Sequence, residues 1–185
     1  MDKELDIKEL MKMAAAEGAR VAISTIEKEQ QKARQGRKDK RLRNTKLLLK
    51  NYRLFKEHCA EAVFQDEQIE DEGILDIINM MEEHNYSDKV FVESIGKSVA
   101  RTRLIMTHIE TMMQIYKTVC EQSDKEEDLR NYWIIWHTYI GEERLSREEI
   151  AEKFNVDRST MYRGINAGAE ILSALFFGVD GIKKQ

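Results

Sequence analysis

The 185-residue sequence contains no proline, only nine glycines and two cysteines. A β-sandwich or barrel needs Gly and Pro at its many turns, so this scarcity argues against both and favours a helical chain. Cys59 and Cys120 lie too far apart in sequence for a CxxC metal site and are too few for a disulfide framework. No apolar run reaches transmembrane length, and the start, MDKELDIKEL, is polar and acidic rather than signal-like. P-loop, GxGxxG, GxSxG and HExxH patterns are absent. His58, His84, His108 and His137 are scattered, and paired acids such as Glu82-Glu83 have no nucleophile nearby in sequence. The expectation is a soluble, cytoplasmic, all-helical non-enzyme with no membrane contact, catalytic residue, cofactor or metal.

What is abundant is charge, 35% of residues, and it is distributed in blocks. Residues 1–27 carry 4 basic and 6 acidic groups, and residues 28–56 carry 12 basic against 2 acidic. Residues 57–128 reverse this with 6 against 18, and residues 129–185 balance at 8 and 8. A basic block of this kind reads either as a polyanion contact or as a solvated face that pairs with the acidic middle. Arg37, Lys38, Lys40, Arg41 and Arg43 are its candidate DNA-contacting residues.

Helical periodicity organises the rest. Residues 3–30 follow a helical pattern with Leu10, Ala14, Val21 and Ile26 as inward candidates. The stretch 31–41 has no apolar stripe and contains Gly36, so it reads as a charged linker or a basic helix end. Asn44 is placed to cap a helix whose seam is Leu48, Tyr52, Phe55, Cys59 and Ala62. An acidic run from Asp66 to Glu72 breaks it, and a short helix follows over 74–83, stopping near His84-Asn85. Ser87 then caps a long helix from Asp88 towards Glu121, with the stripe Thr102, Ile105, Ile109, Met112, Tyr116 and Val119. At 1.5 Å per residue it would extend roughly 50 Å, more than so small a chain can cover, so a homodimer or higher oligomer is expected.

The sharpest pattern lies at residues 144–177. Ser146 followed by Glu149 is a capping box, with Leu145 and Ile150 as its hydrophobic staple. A short helix over 147–153 follows, then a turn at Phe154, Asn155 and Val156, then Asp157 as N-cap of a second helix. This is the helix-turn-helix layout. Met161, Ile165, Gly168, Leu172 and Phe176 share one face of the second helix, and Ser159, Tyr162, Arg163, Asn166 and Glu170 share the other. Arg158, Ser159, Thr160, Tyr162, Arg163 and Asn166 are residue types that bind phosphates or read base edges, and Arg147 is set to cross the DNA backbone. A support helix over 128–140 would carry Leu129, Trp133, Trp136 and Ile140 inward, with Ile134 and Ile135 pointing elsewhere as apolar surface left to dock on the N-terminal part or a partner.

The stretch EIAEKFNVDRSTMYRGINAGAEIL resembles the helix-turn-helix in the fourth conserved region of bacterial sigma factors. It departs at Gly164, where an aliphatic residue is common, and at Asn155, where Gly is frequent. Together with RNTKLLLKNYRLFKEHCAEAV and ESIGKSVARTRLIMTHIETMMQIYK, it is similar to the ArpU-type (autolysin regulator) family of phage regulators, with RinA-type late activators as relatives. The resemblance implies a regulator of phage late genes that acts on double-stranded DNA in a bacterial cytoplasm, with the N-terminal helices supplying dimerisation, an RNA polymerase contact or a basic DNA clamp. Three regions follow: an N-terminal helix and basic linker (1–43), a helical bundle for oligomerisation (44–121) and a DNA-binding domain (126–182). Two other readings share the motif, a small-terminase-like DNA-packaging subunit and an interaction protein whose motif serves a protein partner.

Overall fold

The computed structural model describes residues 2–61, 73–83, 87–90, 92 and 99–178, and among them the regular structure is helical with no strand. The elements are α1 (Asp2–Glu61), α2 (Ile74–Glu83), α3 (Val99–Gln122), α4 (Glu126–Ile135), a π-turn (Trp136–Ile140), α5 (Arg147–Lys153) and α6 (Arg158–Phe177). None of the helices among the described residues is long and apolar enough to cross a membrane. The expected end of the 44–61 helix in the acidic run and the stop at His84-Asn85 lie outside the described residues.

The chain divides into two units, residues 1–39 and residues 40–185. Within the first, residues 9–37 are exposed almost throughout. The inward candidates Leu10, Val21 and Ile26 are 66%, 55% and 54% exposed, so no face of this segment is buried. Residues 31–41 are helical rather than a linker. Gln, Lys, Arg and Ala are good helix formers, no proline interrupts them, and Gly36 costs only about 1 kcal/mol. Side-chain pairs one turn apart reinforce the helix: Arg20 with Glu17 at 2.9 Å, and Gln35 donating to Asp39 at 2.8 Å.

In the second unit one core gathers Leu48, Leu49, Tyr52 and Phe55 of α1, Ile77 and Met81 of α2, and Ile105, Ile109, Met113, Tyr116 and Cys120 of α3. Tyr132 and Ile135 of α4 and Leu172 and Phe176 of α6 close it. The 44–121 and 126–182 regions therefore share a core. Asn44 is no cap: it lies inside α1, 1% exposed, and its Nδ2 donates to the Met81 carbonyl at 3.0 Å. That carbonyl belongs to the last turn of α2, where helix carbonyls call for partners from outside the helix.

On α3, Met113 and Cys120 are buried, whereas Met112 is half-buried and Val119 is 49% exposed. A stripe repeating every 3.5 residues slips by about 20° per heptad on a straight helix, which moves the buried line one residue onward. On the 128–140 segment the expected inner stripe is the less buried one, and the surface expected to dock is covered. Ile134 and Ile135 are fully buried, while Leu129, Trp133 and Trp136 are half-buried. The helix is covered on two sides: Ile135 enters the main core, and Ile134 joins Ile150, Met161 and Ile165 in a smaller one.

Candidate nucleic-acid interface

The smaller core positions α5 and α6. Ile150 of α5 and Met161 and Ile165 of α6 meet Ile134, with Leu145, Ala151, Phe154 and Val156 packed around them. Both helix starts are fixed by local hydrogen bonds. Glu149 N donates to Ser146 Oγ at 3.2 Å and Ser146 N donates to Glu149 Oε2 at 2.7 Å, completing the capping box. The Ser146 N–H also holds the Glu149 carboxyl below its ordinary range. Between the helices Asn155 takes φ 48°, the left-handed conformation that asparagine tolerates and that glycine adopts most readily.

Asp157 then caps α6. Its Oδ1 accepts from Ser159 N at 2.7 Å and Thr160 N at 2.9 Å, and its Oδ2 accepts from Thr160 Oγ1 at 2.6 Å. These bonds, led by the Thr160 hydroxyl, hold the Asp157 carboxyl well below the usual carboxylate range.

Met161, Ile165, Gly168, Leu172 and Phe176 are all buried, so the opposite face of α6 is the one solvent meets. Ser159, Arg163, Asn166 and Glu170 are exposed on it, Tyr162 is half-exposed, and Arg158 is exposed on the flank of the first turn. Arg147, on the first turn of α5, lies 5.1 Å over the Tyr162 ring and donates to its hydroxyl. Arg158 lies 5.9 Å from the same ring. The two cations, Arg158 foremost, lower the Tyr162 phenol from its ordinary value. Three of the candidate residues thus form one cationic cluster that bridges α5 and α6.

No protein-family model, curated protein or solved structure matches the chain.

The remaining candidates divide by what they touch. Thr160 is half-buried, and its hydroxyl is engaged by Asp157 and by Arg163 Nη2 at 2.8 Å. Asn166 accepts at Oδ1 from Lys46 Nζ of α1 at 2.9 Å. Arg37 and Lys38 belong to the first unit. Lys40, Arg41 and Arg43 lie on α1 within two turns before Lys46, and Arg43 pairs with Asp88 at 3.7 Å.

Two residues of this region were not singled out by the sequence pattern. One is Lys46. The other is Arg53, whose guanidinium donates to the carbonyls of Gly141 at 2.9 Å, His137 at 3.3 Å and Glu143 at 3.4 Å. Arg53 satisfies carbonyls at the end of the π-turn, where Gly141 N reaches back five residues to Trp136 O at 2.8 Å. Lys56 with Glu142 at 3.2 Å and Arg144 with Glu57 at 3.0 Å continue the same seam. Residues 46–57 of α1 therefore run alongside the α4–α5 connection and reach α6. Their spacing is helical, but the partners are 84 to 120 residues away, so only the fold reveals them.

Proposed function

We propose that the chain is a sequence-specific DNA-binding transcriptional regulator, in which α5, the turn at Asn155 and α6 form a helix-turn-helix on a helical scaffold. α6 enters the major groove with Ser159, Tyr162, Arg163 and Asn166 facing base edges, while Arg147 and Arg158 meet phosphates. The observation that carries this reading is the two-faced α6. One face is buried along its length, and the other presents arginine, serine, tyrosine and asparagine to solvent from its capped N-terminus. The similarity of 149–172 to the sigma-factor motif, and of the wider chain to ArpU-type regulators, supports control of phage late promoters in the bacterial cytoplasm with RNA polymerase as partner. The exposed apolar side chains of residues 9–26 support a homodimer or higher oligomer.

Footprinting across a phage genome, with and without RNA polymerase, tests the reading and finds the operator. On that site Arg163→Ala is expected to cost about 1–3 kcal/mol and to relax preference at one position. Arg158→Ala is expected to weaken binding uniformly and to flatten the salt dependence by about one unit of slope. Unchanged specific binding in both variants overturns the placement of α6.

A further inference from the structure

The surface formed by residues 144–177 carries five basic and five acidic side chains. Phosphate neutralisation dominates DNA affinity, so a neutral module lacks the charge that its exposed face needs. α1 supplies a cation at this point. Lys46 Nζ lies 2.9 Å from Asn166 Oδ1, in the third turn of α6, on the face that also holds Ser159 and Tyr162. The neighbouring seam residues Lys56 and Arg144 are neutralised by Glu142 and Glu57. Lys46 instead meets a neutral amide and, among the described residues, pairs with no carboxylate. Its charge therefore remains available to an anion. Glu170, one turn beyond Asn166, is exposed on the same face and repels phosphate, which makes a cation here more consequential.

The hydrogen bond also determines what Asn166 can read. An ammonium has donors only, so the atom it touches has to be the amide oxygen, which leaves the two N–H groups of Nδ2 to donate elsewhere. Asparagine recognises adenine by accepting from N6 with its oxygen while donating to N7. With the Lys46 ammonium on that oxygen, an adenine amino group would bring a further donor against a cation. Guanine offers two acceptors, O6 and N7, to the same pair of donors.

Building on the DNA-binding reading above, we propose that Lys46 is a specificity-determining residue of this surface. It holds the Asn166 carbonyl, makes that position favour guanine over adenine, and adds one phosphate-binding cation from α1.

The test is site selection from a randomised duplex library, with salt titrations, on full-length protein and its Lys46→Met, Lys46→Arg and Asn166→Ala variants. Lys46→Met keeps the length of the side chain but removes its donors. It is expected to shift the selected base at a single position from guanine towards adenine, by roughly five- to a hundred-fold in relative affinity. The slope of log affinity against log salt should become shallower by about one. Lys46→Arg should retain both properties, and in the Asn166→Ala background Lys46→Met should no longer alter base choice. A Lys46→Met protein with unchanged thermal unfolding, base choice and salt slope overturns the proposal while leaving the function of α6 intact. Absence of any sequence preference in the unsubstituted protein overturns the reading of α6 itself, and the role of Lys46 with it.

Discussion

The carboxylate of Asp157 accepts three hydrogen bonds from the first turn of α6, and each one stabilises the ionised form. These bonds occupy the Ser159 and Thr160 amides, so a phosphate at this end of α6 has to be met by the side chains of Arg147 and Arg158. The pH dependence follows from the sign of the shift. The folded-state pKa is depressed, so the stabilisation is complete above about pH 4, the unfolded aspartate range, and is lost as pH falls through the folded value. Asp157→Ala should lower the thermal midpoint at neutral pH by roughly 2–4 °C, as expected for loss of an N-cap in a chain of this size. Asp157→Asn keeps the acceptor for the backbone and should lose less. The difference between wild type and Asp157→Asn should narrow as the pH falls below 4, measured by thermal unfolding across pH 2 to 7. A constant difference over that range would show that the charge contributes nothing.

At the level of elements, the packing of α6 on α4 depends on two glycines. A Cβ on Gly164 would lie 2.5 Å from Asn131 Oδ1, and one on Gly168 would lie 2.4 Å from Ile135 Cδ1 and 2.9 Å from the Tyr116 hydroxyl. Ile135 and Tyr116 are both fully buried. Gly168→Ala should therefore destabilise by about 1–2 kcal/mol, because overpacking outweighs the roughly 1 kcal/mol gained in helix propensity. Adding Ile135→Val removes the clashing methyl and should restore most of the loss in urea unfolding. If the double variant is no better than the single one, the close approach at Gly168 is not what limits α6.

The same contacts explain which elements could be read from the sequence. The caps at Ser146 and Asp157 and the buried face of α6 were legible because the groups that decide them lie within a few residues of one another. The helix at 74–83 was legible for the same reason. Residues 31–41 left a charged linker and a basic helix end both open, because a helix held by short-range polar pairs has no apolar stripe to show. Ile134 and Ile135 were legible as apolar surface left to dock, but the neighbours that cover them show only in the fold, where they enter two different cores. Lys46 and Arg53 depend on partners brought near only by the complete fold.

At the scale of the whole molecule, the buried residues among those described lie within 40–185. Leu10, Met11, Met13, Val21, Ile23 and Ile26 of the first unit are all between 54% and 69% exposed. Covering such side chains contributes about 1.5–3 kcal/mol each, and a single helix without tertiary cover is marginal in water. The two facts together predict that residues 1–39 contribute to assembly rather than to the fold of the remainder. A fragment of residues 40–185 should keep a cooperative unfolding transition within about 2 °C of the full chain at matched low concentration, since the core residues among those described all lie within it. Sedimentation should find the full chain as a dimer or larger and the fragment as a monomer. A fragment that associates as the full chain does would move the assembly surface into residues 40–185, and a stable ring of many subunits would favour the packaging role over regulation. The fragment retains Lys46, α5 and α6, so its base preference should be unchanged. Loss of Arg37 and Lys38 should flatten its salt dependence if they touch the duplex, which separates their contribution from that of α6.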